Sequence, residues 1–255
     1  LNRRVAAEAQ LMDFYRADLH IHTCLSPCGD WGMSPRDIVA KSAELGLHVI
    51  AICDHNSMEN AGAAMAVGES AGLCVVPGME ICSKEEVHVL GLFETLEQAR
   101  EMQEMVYKNL PGNNSPDLWG EQVVADENNE VICVNDRLLI GATSLWMDAI
   151  VEAVHALDGL CIASHVDRPS YSVISNLGFI PPDVEFDALE VSCRVPLADA
   201  YEEVPGIERF PCITSSDAHY LKDIGRVWTT FLLEAPLFGE IRWALQGFGG
   251  RRIEV

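Results

Sequence analysis

The sequence predicts an α/β fold organised around a mostly parallel sheet. Three observations support this. Short apolar, β-branched runs alternate with longer amphipathic segments, the pattern of repeated strand–helix units. Capping residues fall at the borders between them. The length, 255 residues, suits one barrel-like α/β domain, which commonly takes about 250.

Strands are expected at 14–22, 48–53, 73–82, 87–93, 160–165, 188–191, 212–216 and 227–233. Helices are expected at 34–45, 58–71, 96–109, 145–157, 197–204 and 237–246. Ser34-Pro35 sets a capping hydroxyl before a proline at the first helical position. Gly46 follows the last apolar position of that helix, where a left-handed residue is wanted. Ser144 precedes the helix at 145–157, with Asp148 in its first turn and Gly159 after it. One stretch, 111–143, breaks the rhythm. It opens with Pro111-Gly112-Asn113-Asn114 and carries β-rich runs at 122–125 and 130–134 around Asp126-Glu127-Asn128-Asn129. An inserted β-hairpin is expected there, placed to act as a lid. The whole, 1–255, reads as a single domain.

Composition narrows the function. Acidic residues outnumber basic ones 39 to 17, a net charge of −22. That argues against extended nucleic acid and anionic membranes as partners. Small anionic substrates stay open if bound cations reverse the local field. No apolar run approaches the roughly 18 residues of a membrane span. The opening Leu1-Asn2-Arg3-Arg4 lacks the apolar run of a secretory leader. The nine cysteines are scattered without a CxxC pair. They read as free thiols of a reducing, cytoplasmic protein. Oligomeric state is not legible.

The chemistry lies in the histidines. His20, His22, His55, His88, His165 and His219 fall at or near the ends of expected strands, where parallel α/β folds gather their active-site groups. In Asp18-Leu19-His20-Ile21-His22, alternation puts both imidazoles and Asp18 on one face. That combination suits a divalent metal and a carboxylate behind it. Asp54-His55 closes one apolar run, and Glu80 stands in another, where a bare carboxylate needs a partner. Asp217 and His219 follow the run at 213–216. Packing does not explain so many ionisable groups at strand ends. Imidazole with carboxylate suits zinc, manganese or iron, and the ligands outnumber one four-coordinate site. Two or three divalent ions are therefore expected. His48 and His155 read as structural, and Trp119 and Tyr171 as packing residues.

These residues, in this order, resemble the PHP (polymerase and histidinol phosphatase) family. The elements are His20-x-His22, Asp54-His55, Glu80, His88, His165 and Asp217-x-His219. The resemblance implies a distorted, TIM-like (β/α)7 barrel whose face carries a trinuclear centre that hydrolyses phosphoesters. It would assign His20, His22 and Asp217 to a first metal, Glu80 to a bridge, His88 and His165 to the second, and His55 and His219 to the third. Histidinol phosphatase-like members carry a further His where this chain has Cys28. As a thiolate Cys28 would suit zinc, and Asp30 is the other candidate.

The implied reaction is in-line attack on phosphorus by a hydroxide bridging two metals. Asp217 or a metal-bound water would protonate the leaving oxygen. Arg168 and Arg226 are candidate phosphate binders, since guanidinium matches phosphate oxygens as a fork. The alternative for each is a surface ion pair with Asp167 or Asp223. The expected substrate is a small phosphorylated molecule: a nucleotide, a nucleoside bisphosphate, an oligonucleotide end or histidinol phosphate. Two further readings compete. One is amidohydrolase-type C–N hydrolysis, against which no lysine ends an apolar strand. The other is a non-catalytic PHP module, against which the ligand set is nearly complete.

Overall fold

The computed structural model describes residues 11–254. The opening Leu1-Asn2-Arg3-Arg4, read above for the absence of a leader, lies outside them. The strands are β1 (Asp13–Ile21), β2 (Val49–Ile52), β3 (Cys74–Cys82), β4 (His88–Leu92), β5 (Val123–Ala125), β6 (Val131–Val134), β7 (Leu160–Ala163), β8 (Ala188–Val191), β9 (Cys212–Thr214), β10 (Thr229–Leu233) and β11 (Arg252–Glu254). The helices are α1 (Pro35–Glu44), α2 (Ala61–Ala71), α3 (Leu96–Asn109), α4 (Pro116–Trp119), α5 (Met147–Ala156), α6 (Val173–Leu177), α7 (Leu197–Glu203) and α8 (Phe238–Leu245).

Nine strands form one sheet in the order β11-β10-β1-β2-β3-β4-β7-β8-β9. The sheet curls until its far side returns to β1. Ile21 bridges Ala218 in parallel, and the His22 N–H donates to the Ala218 carbonyl at 3.0 Å. Thr229 helps close the seam: its Oγ1 accepts from Thr214 N at 2.8 Å and donates to Thr214 O at 2.9 Å. The result is a nearly closed, barrel-shaped sheet with helices packed around it. Seven of its strands (β1, β2, β3, β4, β7, β8 and β9) make the barrel wall, and β10 and β11 extend it beyond β1.

β4 departs from the parallel expectation. It runs antiparallel to both β3 and β7. The cause is the short turn at 83–87, closed by Ser83 N donating to Val87 O at 2.9 Å. A parallel neighbour would need a crossover of a dozen residues or more. The reversal matters for the site, because it carries the first residue of β4, His88, to the end where β3 finishes, opposite Cys82.

Local signals explain most helix borders. Ser34 accepts from Asp37 N at 3.1 Å, and Gly46 takes a φ of 70°. Thr95 and Gln98 form a reciprocal capping box on α3. Two borders differ from expectation. α5 begins after Trp146, because the Ser144 hydroxyl donates to Asn109 Oδ1 at 3.0 Å instead of capping. α2 begins at Ala61, because residues before it are committed elsewhere; Asn60 Nδ2, for example, donates to Thr23 Oγ1 at 2.8 Å.

Two apolar layers hold the barrel. Outside, Ile50, Ile52, Met79 and Ile81 pack with Ile38, Met102, Val106, Val151 and Val154 of the surrounding helices. Inside, Leu19, Ala51, Leu90, Ile162 and Ile213 join Phe231 and, from α8, Phe238, Ile241 and Ala244. Arg242 of α8 reaches Asp158, just ahead of β7, at 3.3 Å. α8 thus lies across the amino end of the strands, opposite the carboxyl end at which the histidine-bearing loops converge.

β5 and β6 form the expected hairpin as a separate two-stranded sheet. Its base is fastened to the barrel. Asn60 Nδ2 donates to Val123 O at 3.0 Å, Val123 N to Cys24 O at 3.2 Å, and Asn56 Nδ2 to Leu139 O at 2.8 Å. Among the described residues, no helix is long and apolar enough to cross a membrane.

Candidate metal centre

At the carboxyl end, β1 delivers His20 and His22. Their rings converge, with Nε2 atoms 3.1 Å apart. Asp18 does not share their role. The β1–β2 register is irregular between Asp18 and Ile21, which breaks the simple alternation, and the Asp18 carboxylate accepts from Ser216 N at 2.9 Å and Gly225 N at 3.0 Å. It ties down the seam. Burial pushes its carboxyl up to about 6, against the pull of those bonds.

The carboxylate behind His20 is Glu190 of β8. It accepts from His20 Nδ1 at 2.9 Å and from His165 N at 3.2 Å. His22 Nδ1 donates to Ser26 Oγ at 2.9 Å, because the Ser26 proton is given to Asp54 at 2.6 Å. Asp54 also accepts from Thr23 N and Oγ1, both at 2.7 Å. The loop that presents Ser26 and Cys28 needs glycine at 29, where a Cβ would lie 2.2 Å from Thr23 O.

Glu80 is the hub. Its Oε1 lies 3.0 Å from His88 Nδ1 and 3.1 Å from His165 Nε2. Its Oε2 lies 3.0 Å from His55 Nδ1 and 3.5 Å from His22 Nε2. Asp217 Oδ1 lies 3.2 Å from His22 Nε2 and 3.6 Å from His219 Nδ1. His219 stacks on His22 with centroids 4.2 Å apart. Two of these residues sit on strained backbone, His165 at φ 31° and Asp217 at φ 50°.

Among the described residues, donor atoms within 4.8 Å of one another form three overlapping groups: His20, His22 and Asp217; His55, Glu80 and His88; His22, His55 and His219. The first is the set the resemblance assigns to one metal. In the second, His55 stands with Glu80 and His88, and His165 is at hydrogen-bond distance from the same Glu80 oxygen. In the third, His22 joins His55 and His219. Cys28 stands at the mouth beside the last two. Burial pushes its thiol up, but His55 and His219 outweigh that and bring it down to about 6.

The donor chemistry fits divalent transition metals. With both Nδ1 atoms of His20 and His22 donating backwards, their Nε2 lone pairs face each other, and only a cation or a proton can reconcile them. Burial lowers both rings. Glu190, Glu80 and Asp217 outweigh it and raise His20 well above its usual value, while His219 and His55 add to the depression of His22. Without a cation the pair would hold one proton between them. Burial disfavours ionised Asp217 and Glu80, yet the surrounding histidines hold both carboxyls well below the usual range. His165 Nδ1 is buried without a hydrogen-bond partner, and His88 Nδ1, also buried, has only the Glu80 carboxylate 3.0 Å away.

Arg168 lies in the site rather than in a surface pair. Its Nη1 donates to Asp217 Oδ2 at 2.7 Å, whereas Asp167 accepts from Ser192. Arg226 is largely exposed, with Asp223 4.0 Å away. Both line one cleft of about 720 Å³ that opens from Asp217 and His219. Tyr171, expected to pack, is 45% exposed and stacks on His88 with centroids 4.7 Å apart. His48 Nδ1 accepts from Arg16 N at 3.0 Å, and His155 pairs with Asp187 at 3.0 Å, both away from the cage. Sequence reasoning missed Glu190 and Ser26. For Glu190 the signal was present: an acid within the apolar run Ala188-Leu189-Glu190-Val191, the same anomaly that marked Glu80.

A barrel with histidines and carboxylates gathered at the carboxyl ends of its strands is the architecture of metal-dependent hydrolases. The chain belongs to the PHP domain family, a family of metal-dependent enzymes that hydrolyse phosphoric esters. The PHP domain model matches residues 18–177, and a PHP-associated model matches 208–246. A 5'-3' exoribonuclease of Haemophilus influenzae is 31% identical over 78 residues, 29% of this chain and 27% of that protein. The lesion-specific endonuclease Q of Pyrococcus furiosus shares the fold, with a TM-score of 0.69 at 22% identity over 94% of this chain and 58% of that one. A second endonuclease Q structure, TM-score 0.67, also at 22% identity and the same coverage, holds a 27-mer duplex with an abasic lesion at the active site. The chain therefore spans about a quarter of the exoribonuclease and somewhat over half of the endonuclease.

The duplex complex corrects one expectation. Extended nucleic acid is not excluded by a net charge of −22. Net charge sums over the whole surface, whereas strand contacts are local, and here arginines line the cleft beside the cage.

Proposed function

We propose that this chain is a metal-dependent phosphoesterase acting on a phosphate ester of a nucleotide, free or within a nucleic-acid strand. The observation that carries this reading is the facing pair of Nε2 atoms on His20 and His22, 3.1 Å apart with Glu80 and Asp217 beside them. We assign His20, His22 and Asp217 to one ion, Glu80 with His88 and His165 to a second, and His219 with His55 and Cys28 to a third. Two or three ions of zinc, manganese or iron suit these donors.

When bound, such ions neutralise phosphoryl oxygens and make water a stronger acid. The rest is supplied by the chain. Glu190, Ser26 and Asp54 fix the tautomers of His20 and His22. Arg168, anchored on Asp217, offers its remaining N–H groups to a phosphoryl oxygen. The low-lying carboxyl of Asp217 suits ligation and water orientation rather than proton donation. The β5–β6 hairpin, fastened at its base, narrows the approach as an insertion in a single domain. The unpaired cysteines support a reducing, cytoplasmic setting.

The test is phosphate or nucleotide release from a panel of mononucleotides, 5'-phosphorylated oligonucleotides and abasic duplex. It is run with zinc, manganese or iron and with a chelator. Turnover of one class that the chelator abolishes is expected. Turnover untouched by metal removal would overturn the reading.

A further inference from the structure

We infer that Tyr171 is a positioning residue for His88: its ring, stacked on the imidazole, gives that ligand the orientation that hydrogen bonds give to other histidines of the cage. Without the ring, the ion assigned to His88 should be held more weakly. The inference rests on the assignment of His88 to the second ion and extends it to a side chain that acts only through that histidine.

A histidine that binds a metal is usually oriented from behind, by a hydrogen bond on its other nitrogen. His20 has Glu190 at 2.9 Å for this, and His22 has Ser26 at 2.9 Å. His88 has no such bond among the described residues, and its Nδ1 has only the Glu80 carboxylate, 3.0 Å away. What surrounds its ring is aromatic. His55 and His165 meet it edge-on, with centroids 5.3 Å and 5.5 Å away. Tyr171 lies almost flat on it, with 4.7 Å between centroids and 22° between planes. The χ2 torsion of histidine is broad and poorly self-determined. A flat ring against one face therefore fixes the angle at which the imidazole meets an ion.

The backbone disfavours a tyrosine at this position. Tyr171 has a φ of 58°, in the left-handed region that favours glycine. The residue is 45% exposed, so burial offsets little of that strain. Its neighbours hold it there. The Tyr171 carbonyl accepts from His88 N at 2.9 Å, which sets the height of one ring over the other. Ser172 Oγ donates to Arg168 O at 2.8 Å, and Asn176 Nδ2 donates to Glu85 O and Glu86 O, both at 2.8 Å. The loop after β7 is thus fastened to the 83–87 turn that leads into His88. Tyr171 also bounds the cavity of about 180 Å³ that Glu80, His88 and His165 line. Strain held beside a candidate metal centre by several independent bonds marks a residue kept for what its side chain does there.

The experiment titrates cobalt(II) into the metal-free full chain, following its d–d absorption, with a chromophoric chelator as competitor. Tyr171→Leu should weaken one binding step about two- to tenfold, the scale of one stacked aromatic pair. The absorption of that equivalent alone should change. Tyr171→Phe keeps the ring and should retain the wild-type affinity. Tyr171→Gly should weaken the same step while the urea midpoint holds or rises, because glycine relieves the strained φ. A merely structural role would lower affinity and midpoint together. In a His88→Ala background, Tyr171→Leu should weaken no step further, since the coupling runs through the imidazole. Equal affinities in wild type and Tyr171→Leu would overturn the positioning role. So would an equal loss with and without His88, or a loss in Tyr171→Phe as large as in Tyr171→Leu. A wild type that binds no cobalt would instead overturn the metal centre itself, and the role of Tyr171 with it.

Discussion

At the carboxyl end of the barrel, histidines and carboxylates converge within hydrogen-bond distance of Glu80 and Asp217. The backbone there is strained at His165 and Asp217. At the amino end the same strands meet α8, and the contacts are Phe238, Ile241, Ala244 and the Arg242–Asp158 pair. The first end gathers groups that resist burial unless a cation joins them. The second gathers groups that gain from burial outright. Changes at the two ends should therefore separate activity from stability.

The largest effect is expected from Glu80→Gln, which removes the hub carboxylate. Activity should fall at least about a thousandfold with loss of bound metal, while circular dichroism stays native. Next comes Ile241→Ala at the opposite end. Urea denaturation should show a loss of about 2–4 kcal/mol, with metal stoichiometry preserved. A variant that lost metal as well would erase the distinction between the ends.

Glu190→Gln probes the layer behind the cage. Weakening the acceptor for His20 Nδ1 should cut metal affinity about 10- to 100-fold, read by competition with a chromophoric chelator. The smallest effect is in pH dependence. Asp18 is held near 6 in the fold against 3.8 ordinarily. The folded state thus binds the extra proton, and this group makes stability decline as pH rises from about 4 to about 6. Glu240 at the amino end has the opposite sign. Burial raises its carboxyl, but Arg251 holds it below the usual value, so its contribution is present above its unfolded pKa and is lost as pH falls through its folded one. Urea midpoints across pH should show the Asp18 slope, on the order of 2–3 kcal/mol in total, disappear in Asp18→Asn. The acid-side loss should shrink in Glu240→Gln.

The same contrast explains what the sequence made legible. Strand runs such as 48–53 and 160–165 announce themselves because their apolar groups must be buried, and each ligand type stood out as an ionisable residue closing such a run. The direction of β4 was also implicit, since five residues at 83–87 cannot make a crossover. The roles of Asp18 and Asp54 were not legible. Both are acids beside candidate ligands, yet a register irregularity turns one to the seam, and Thr23 and Ser26 claim the other. Which of two neighbouring acids meets a metal depends on tertiary hydrogen bonds that no local pattern encodes. Net charge misled about partners because it averages over the whole surface, whereas arginines line the cleft beside the cage.

The most direct test of the central claim is the metal content of the purified protein after reconstitution with zinc and removal of excess, measured by elemental analysis for wild type and Glu80→Gln in parallel. The three overlapping donor groups predict two or three equivalents per chain in wild type and at most one in the variant. No retained metal in wild type, or equal retention in both proteins, would contradict a cage built around Glu80.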